Sequence, residues 1–135
     1  MESKEHINLV KIAYKYIEGI VSEEERQLIH CDREGYIMDI RVINNFIPDV
    51  YYYNGKEMII GEAKTEDDFE RKHSKEQFDS YIKELSYFSG KRVLVVSVPW
   101  QIEMTAKNYF YRKKKLLEYS IEIVILNDLG RCSVI

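Results

Sequence analysis

The chain has 135 residues, a net charge of −3 and a hydrophobic fraction of 45%, so it can bury one core without disulfides or structural metals. This acidic balance excludes a strongly basic nucleic-acid coat protein, although basic residues can still be gathered on one face. Cys31 and Cys132 show neither metal nor redox spacing and indicate reduced thiols. No apolar run has the length of a membrane span, so we expect one cytoplasmic domain, 1–135, without a membrane partner.

A first helix is predicted from about Lys4 to Val21, because apolar residues recur on one helical face at Ile7, Val10, Tyr14, Ile17 and Val21. Glu18 lies at the border of this face, beside a basic stripe that includes Lys11 and Lys15. Glu18 can therefore either reach a neighbouring site or pair with Lys15 at the surface.

The next segment predicts two short strands, 26–32 and 36–43, with a turn at 33–35 between them. His30 is interpreted as structural, because no second His or Cys stands at metal spacing from it. Asp39 is a possible additional acid, with pairing to Arg41 as the alternative.

Asn54-Gly55, flanked by alternating apolar residues, is a strong signal for a β-hairpin with a two-residue loop. A loop at these two residues pairs Asp49 with Ile60. Asp49, Glu62 and Lys64 then project from the same face of the hairpin, with Glu62 diagonal to Asp49. Diagonal positions are roughly 7–8 Å apart, so two carboxylates there can converge on one ion.

This arrangement places two acids and an amine next to the apolar run 58–60. Buried like charges repel each other and lose solvation unless a cation compensates them. The pattern therefore predicts a site for a divalent metal and a phosphate-like anion. The alternative is a solvent-facing strand edge on which Lys64 pairs with Glu62 or Asp49.

Residues 47–49 (Ile-Pro-Asp) followed by 61–65 (Gly-Glu-Ala-Lys-Thr) resemble the PD-(D/E)XK nuclease superfamily, which has the restriction-endonuclease-like fold. The resemblance implies that Asp49 and Glu62 bind Mg²⁺ or Mn²⁺ together with the carbonyl of Ala63. It also implies that Lys64 orients or activates the attacking water and stabilises charge at the phosphate. The first helix of such proteins often supplies a further acidic ligand, and Glu18 is the candidate here.

A second helix is predicted over roughly 68–88, with a packed stripe at Phe78, Tyr81, Ile82 and Leu85. His73, Gln77 and Tyr81 follow at four-residue steps and share a face. The resemblance implies a Gln near the catalytic strands, and Gln77 matches it. Two alternatives remain, a capping box that starts at Ser74 and a hydrogen bond from Gln77 to backbone.

The apolar runs 92–98 and 121–126 enclose a helical segment at 101–119. Two fully apolar strands joined by a helix are typical of a parallel βαβ crossover. The hairpin and this crossover together predict an α/β fold whose mixed central sheet is flanked by helices. This order suits the core of the superfamily.

Basic residues cluster near the end of the last helix, where they either solubilise an exposed face or contact DNA phosphates. The candidate DNA-contacting residues are Lys11, Lys15, Lys91, Arg92, Arg112, Lys113 and Lys114.

The sequence thus predicts a metal-dependent DNA endonuclease, either structure-selective and resolvase-like or of homing or restriction type. We expect a homodimer or a subunit of a larger nuclease complex, with no organic cofactor. Two alternatives are an inactive nuclease-fold module for DNA binding or assembly, and a metal-dependent hydrolase with another substrate. The chain lacks a glycine-rich phosphate loop and a Ser or Cys nucleophile motif, which disfavours the main rival chemistries.

Overall fold

A computed structural model describes residues 3–32 and 42–135 of the chain. The α-helices in this part are α1 (Lys4–Ile20), α2 (Glu66–Phe69), α3 (Lys72–Ser86) and α4 (Glu103–Lys115). The strands are β1 (His30–Cys31), β2 (Val50–Tyr53), β3 (Glu57–Ala63), β4 (Lys91–Val98), β5 (Glu122–Asn127) and β6 (Cys132–Val134). Short 3₁₀ helices, Glu23–Leu28 and Trp100–Ile102, precede β1 and α4. None of the helices in these ranges is long and apolar enough to cross a membrane.

The strands form one sheet in the order β1-β2-β3-β4-β5-β6. The neighbours β1–β2, β2–β3 and β5–β6 are antiparallel, while β3–β4 and β4–β5 are parallel. The predicted α/β fold with a mixed sheet and flanking helices is confirmed.

Helices cover both faces of the sheet and create two cores. On one face α1 packs through Leu9, Val10, Ala13 and Ile17. On the other face α3 and α4 pack through residues such as Phe78, Leu85 and Phe110. Every residue from 93 to 98 is fully buried, as expected for a central parallel strand with helices on both sides.

The hairpin between β2 and β3 has a different register from the predicted one. Tyr53 pairs with Met58, so the loop consists of Gly55 and Lys56, and Gly55 has a φ of 87°. The Asn54 side chain stabilises this turn, because its Oδ1 accepts the N–H groups of Lys56 and Glu57, each at 2.8 Å. The predicted loop at Asn54-Gly55 is therefore wrong, and the pairing is shifted by two residues.

A shift of two residues leaves every side chain on its predicted face, since side chains alternate with a period of two. Continuing the observed register places Asp49 directly opposite Glu62 rather than diagonal to it. The two acids therefore come closer together than the predicted hairpin required.

Several further predictions need correction or fall outside the described residues. The strand predicted over 26–32 is mostly the 3₁₀ helix Glu23–Leu28, and only His30–Cys31 is strand. The helix predicted over 68–88 is divided into α2 and α3, and the last helix ends at Lys115. The turn at 33–35 and most of the strand predicted over 36–43, with Asp39, lie outside the described residues.

Candidate active site

Two buried carboxylates adjoin each other at the end of the hairpin. Asp49 immediately precedes β2, and Glu62 is the next-to-last residue of β3. Their exposed fractions are only 6% and 3%. The Asp49 N–H donates to Glu62 Oε1 at 3.4 Å, and the Ala63 N–H donates to Asp49 Oδ2 at 2.9 Å. The backbone of the hairpin thus fixes both carboxylates.

Burial raises the pKa of Glu62 well above its ordinary value, and the charge of Asp49 raises it further. The ammonium of Lys64 and the hydroxyl of Tyr81 oppose this shift. The direction of the shift means that a second negative charge is unfavourable at this position in the metal-free chain. An added cation would relieve that cost.

Lys64 follows β3 directly and is tied to the central strand, since its N–H donates to the carbonyl of Ser97 at 3.0 Å. Its Nζ lies 3.5 Å from Glu62 Oε2 and donates to Gln77 Oε1. The side chain is almost completely buried. An amine is therefore held beside the carboxylate pair.

Helix α3 supplies two further polar groups, one turn apart. Gln77 accepts from Lys64, and the Tyr81 hydroxyl donates to Glu62 Oε1 at 3.1 Å. Burial raises the pKa of Tyr81, as does the charge of Glu62, so this hydroxyl keeps its proton. The capping-box alternative for Gln77 is wrong, because α3 begins at Lys72 and the Ser74 hydroxyl donates to the carbonyl of Asp68.

The residue that α1 brings to the site is His6, which sequence reasoning missed. Its Nε2 lies 3.5 Å from Asp49 Oδ2. Ser3 caps the helix by accepting the His6 N–H at 3.1 Å. The predicted candidate, Glu18, is twelve residues further along the same helix, or about 18 Å away. The periodicity of α1 identifies its buried face but does not indicate which end meets the site.

Asp32 is a third acid near the site, and sequence reasoning did not single it out. Its N–H donates to the carbonyl of Asp49 at 2.8 Å. Burial raises the pKa of Asp32, and the charge of Asp49 adds to the shift. Asp32 follows β1, and the pairing of β1 with β2 brings Asp32 next to Asp49.

A cavity of about 520 Å³ opens beside His6 and Thr65, the residue after Lys64. The start of α1 and the segment around α2 form its walls. Its lining residues are Ser3, Glu5, His6, Thr65, Asp67, Asp68 and Arg71. Asp49, Glu62 and Lys64 do not line this cavity themselves. His6, which contacts Asp49, and Thr65, which follows Lys64, connect the cavity to them.

Most of the predicted DNA-contacting residues are not gathered around the carboxylates. Lys91 and Arg92 start β4 beside Glu57, to which Lys91 Nζ comes within 3.9 Å. Glu57 is five residues, or about 17 Å, from Glu62 along β3. These two basic residues therefore lie at the opposite edge of the sheet.

The remaining basic candidates lie on the helices. Lys113 Nζ is 2.6 Å from Asp79 Oδ1, and Lys114 Nζ donates to the carbonyl of Ile135. Arg112 is exposed near the end of α4, and Lys11 and Lys15 are exposed on α1.

Within the described ranges, no group of three or more His, Cys, Asp or Glu side chains is arranged to hold a metal ion. The predicted ligands are Asp49, Glu62, the Ala63 carbonyl and Glu18. Because Glu18 lies far along α1 from His6, two carboxylates and the Ala63 carbonyl remain at the site. The Ala63 N–H points to Asp49, and the carbonyl of a strand residue points to the same side as its N–H. Oxygen donors of these kinds suit Mg²⁺ or Mn²⁺.

The assembled group contains two carboxylates, an ammonium, an amide and a phenol beside an open cavity. Such a group can bind a divalent cation, attract a phosphate and orient a water molecule. Comparisons of the chain with family models, with curated proteins and with solved structures found no match.

Proposed function

We propose that the chain is a Mg²⁺- or Mn²⁺-dependent DNA nuclease of the PD-(D/E)XK type. One observation carries the proposal. Asp49 contacts Glu62, and the Nζ atom of Lys64 lies 3.5 Å from Glu62 Oε2. Two adjoining buried acids are costly for stability, and a cation-dependent reaction on a phosphate gives a reason for keeping them.

The order of elements supports the same proposal. A helix precedes an antiparallel hairpin that carries both acids and the amine, and a helix with Gln77 and a parallel strand follow. This is the order that the resemblance to the superfamily implies. A restriction-endonuclease-like core is therefore part of the proposal.

Asp49, Glu62 and the Ala63 carbonyl would hold the metal ion. When bound, the ion would acidify a water molecule and offset the charge that builds up on the phosphate. His6 lies against the same carboxylate oxygen of Asp49 that accepts the Ala63 N–H. It therefore restricts the orientation of Asp49 from the side of α1.

As an ammonium, Lys64 would orient the attacking water and stabilise charge on the phosphate, whereas taking a proton from that water would require its neutral amine form. Gln77 fixes the ammonium of Lys64, and Tyr81 fixes the carboxylate of Glu62. Groups held by such partners need little reorganisation during the reaction. The resemblance suggests products with 5′-phosphate and 3′-hydroxyl ends.

We propose DNA as the substrate and a homodimer, or a larger nuclease complex, as the working assembly. A single catalytic group cuts one strand at a time, so cutting both strands of a duplex is simplest with two copies. The small domain fits a resolvase-like, homing-type or restriction-type endonuclease.

The test is a cleavage assay with Mg²⁺ or Mn²⁺ on plasmid, linear duplex, single-stranded and four-way-junction DNA. We expect Lys64→Ala to lower the cleavage rate by about 10²–10⁴-fold, as for loss of a proton-transfer group, and Glu62→Ala to abolish detectable cleavage. Lys83→Ala is the matched control, because Lys83 is exposed on α3 away from the site.

Circular dichroism of each variant would show that it is folded. If the wild type cuts none of these substrates but binds DNA, the nuclease proposal fails and the inactive binding module replaces it. A wild-type activity that Lys64→Ala leaves unchanged would also contradict the proposal.

A further inference from the structure

The carboxylate pair and the chain's only tryptophan lie at the same edge of the sheet. The parallel strands β3, β4 and β5 all end at this edge. Ser97 of β4 is the register partner of Ala63, and Trp100 follows Ser97 by three residues. Strands are about 4.8 Å apart and each residue spans at most about 3.5 Å. Trp100 is therefore within about 15 Å of Ala63, a distance of a few nucleotides.

Trp100 is held in an exposed position by the neighbouring loop. Its backbone N–H donates to Asp128 Oδ1 at 2.8 Å, and 51% of the residue is exposed. Met104, one turn later, and Leu129, next to Asp128, are 61% and 72% exposed. Large apolar side chains gathered at the surface beside a polar site are typical of a binding surface.

A positively charged side chain, that of Arg131, accompanies this apolar surface. Arg131 is largely exposed beyond Leu129 and comes within 3.8 Å of Glu103. An exposed ring near a cation suits single-stranded nucleic acid, because a base can stack on the ring while a phosphate meets the cation.

We propose that Trp100 stacks on an unpaired base, so that the site acts on DNA with a single-stranded part such as a strand end or a flap. This inference rests on the proposed function, which locates the scissile phosphate at Asp49 and Glu62. A blunt duplex offers the ring only the outer faces of its two terminal base pairs, since its other bases are stacked inside the helix.

The tryptophan itself provides the measurement, because its emission reports only position 100. The full-length protein is titrated in a metal chelator, without cleavage, with a short single-stranded DNA and with a blunt duplex of the same sequence. We expect the single strand to quench the emission to a plateau and to bind more tightly than the duplex.

Binding of a dye-labelled single strand is then compared among variants by anisotropy. Trp100→Ala should weaken binding by about 5- to 100-fold, the range typical of one stacked base, whereas Trp100→Phe should keep most of the affinity. Tyr87→Ala is the matched control, because Tyr87 is 74% exposed but lies at the end of α3, towards the opposite edge. It should leave the affinity unchanged.

Saturable binding without a change in emission would overturn the inference, as would an equal loss of affinity for Tyr87→Ala. An emission that changes with protein concentration alone assigns this surface to a second copy of the chain and also overturns it. Cleavage without quenching refutes the stacking role and leaves the nuclease proposal intact. Quenching without cleavage under any metal condition supports the stacking role and refutes the nuclease proposal.

Discussion

A carboxyl group that is buried next to another carboxylate is more stable in its neutral form, and Glu62 is in this position. Its pKa is higher in the folded chain than the ordinary value of 4.5. The favourable contribution of the neutral group is therefore fully present below the ordinary value and is lost as the pH rises through the folded-state value.

We predict that Glu62→Gln stabilises the metal-free protein at high pH and raises its melting temperature, with a difference that grows as the pH rises through the folded-state pKa of Glu62. The amide keeps the shape of the side chain without the buried charge. Below about pH 4 the difference should vanish, since Glu62 is then neutral in both folded and unfolded chains. Thermal unfolding followed by circular dichroism across this pH range, with a chelator present, measures the effect.

Glu118→Gln is the matched control, because Glu118 is exposed. Added Mn²⁺ should raise the melting temperature of the wild type and have less effect on Glu62→Gln, because a ligand stabilises the folded state that binds it. A loss of stability in Glu62→Gln that is equal at every pH would contradict the assigned burial cost.

The hairpin pattern predicted that Asp49, Glu62 and Lys64 share a face, the family resemblance added Gln77, and the structure brings these four together. His6 and Asp32 could not be found in this way. Each is brought to Asp49 by the direction in which an element docks, rather than by a local pattern. The apolar periodicity of a helix does not show which end of the helix meets the site, so it was equally compatible with Glu18 and with His6.

At the level of elements, the hairpin shows which part of a local signal is reliable. Asn54 and Gly55 both tolerate turn conformations, so the dipeptide marks the hairpin but not the two loop positions. An error of two residues in the strand register leaves every side chain on its predicted face, whereas an error of one residue moves it to the other face. The common face of Asp49 and Glu62 was therefore predictable, and their direct opposition was not.

We predict that Gly55→Ala destabilises the protein by about 1–2 kcal/mol, the cost of placing a side chain at a positive φ. Gly19→Ala should instead stabilise it by about 0.5–1 kcal/mol, because alanine is the better residue in a helix. Neither added methyl group meets another atom within 4 Å, so packing is the same in both variants. Urea denaturation of the two proteins measures the difference, and equal effects would contradict it.

For the whole molecule, the direction of the strands decides which charges can meet a substrate. Lys91 and Arg92 precede the buried part of β4 and so lie at the edge opposite the carboxylates. Arg71 and Lys72, at the start of α3, lie on the same side as the cavity and have exposed side chains. Counting basic residues could not separate these two groups, since the separation depends on the order and direction of the strands.

We predict that Arg71→Ala and Lys72→Ala weaken DNA binding and each lower the slope of log affinity against log salt by about 1. Lys91→Ala should change neither quantity. The measurement is anisotropy of labelled DNA at several salt concentrations without divalent metal. A reduced slope in Lys91→Ala, with no change in Lys72→Ala, would mean that DNA crosses the other edge of the sheet.

The hydrogen bond from the Lys64 N–H to the Ser97 carbonyl joins Lys64 to the deeply buried strand β4. Amide hydrogens in such a strand exchange with solvent only when the domain opens globally, whereas turns and short outer strands exchange through local fraying. The amide of Lys64 should therefore exchange as slowly as those of β4, while the hairpin tip and β6 exchange earlier. Local opening of the hairpin tip or of β6 would then leave the hydrogen bond between Lys64 and Ser97 intact.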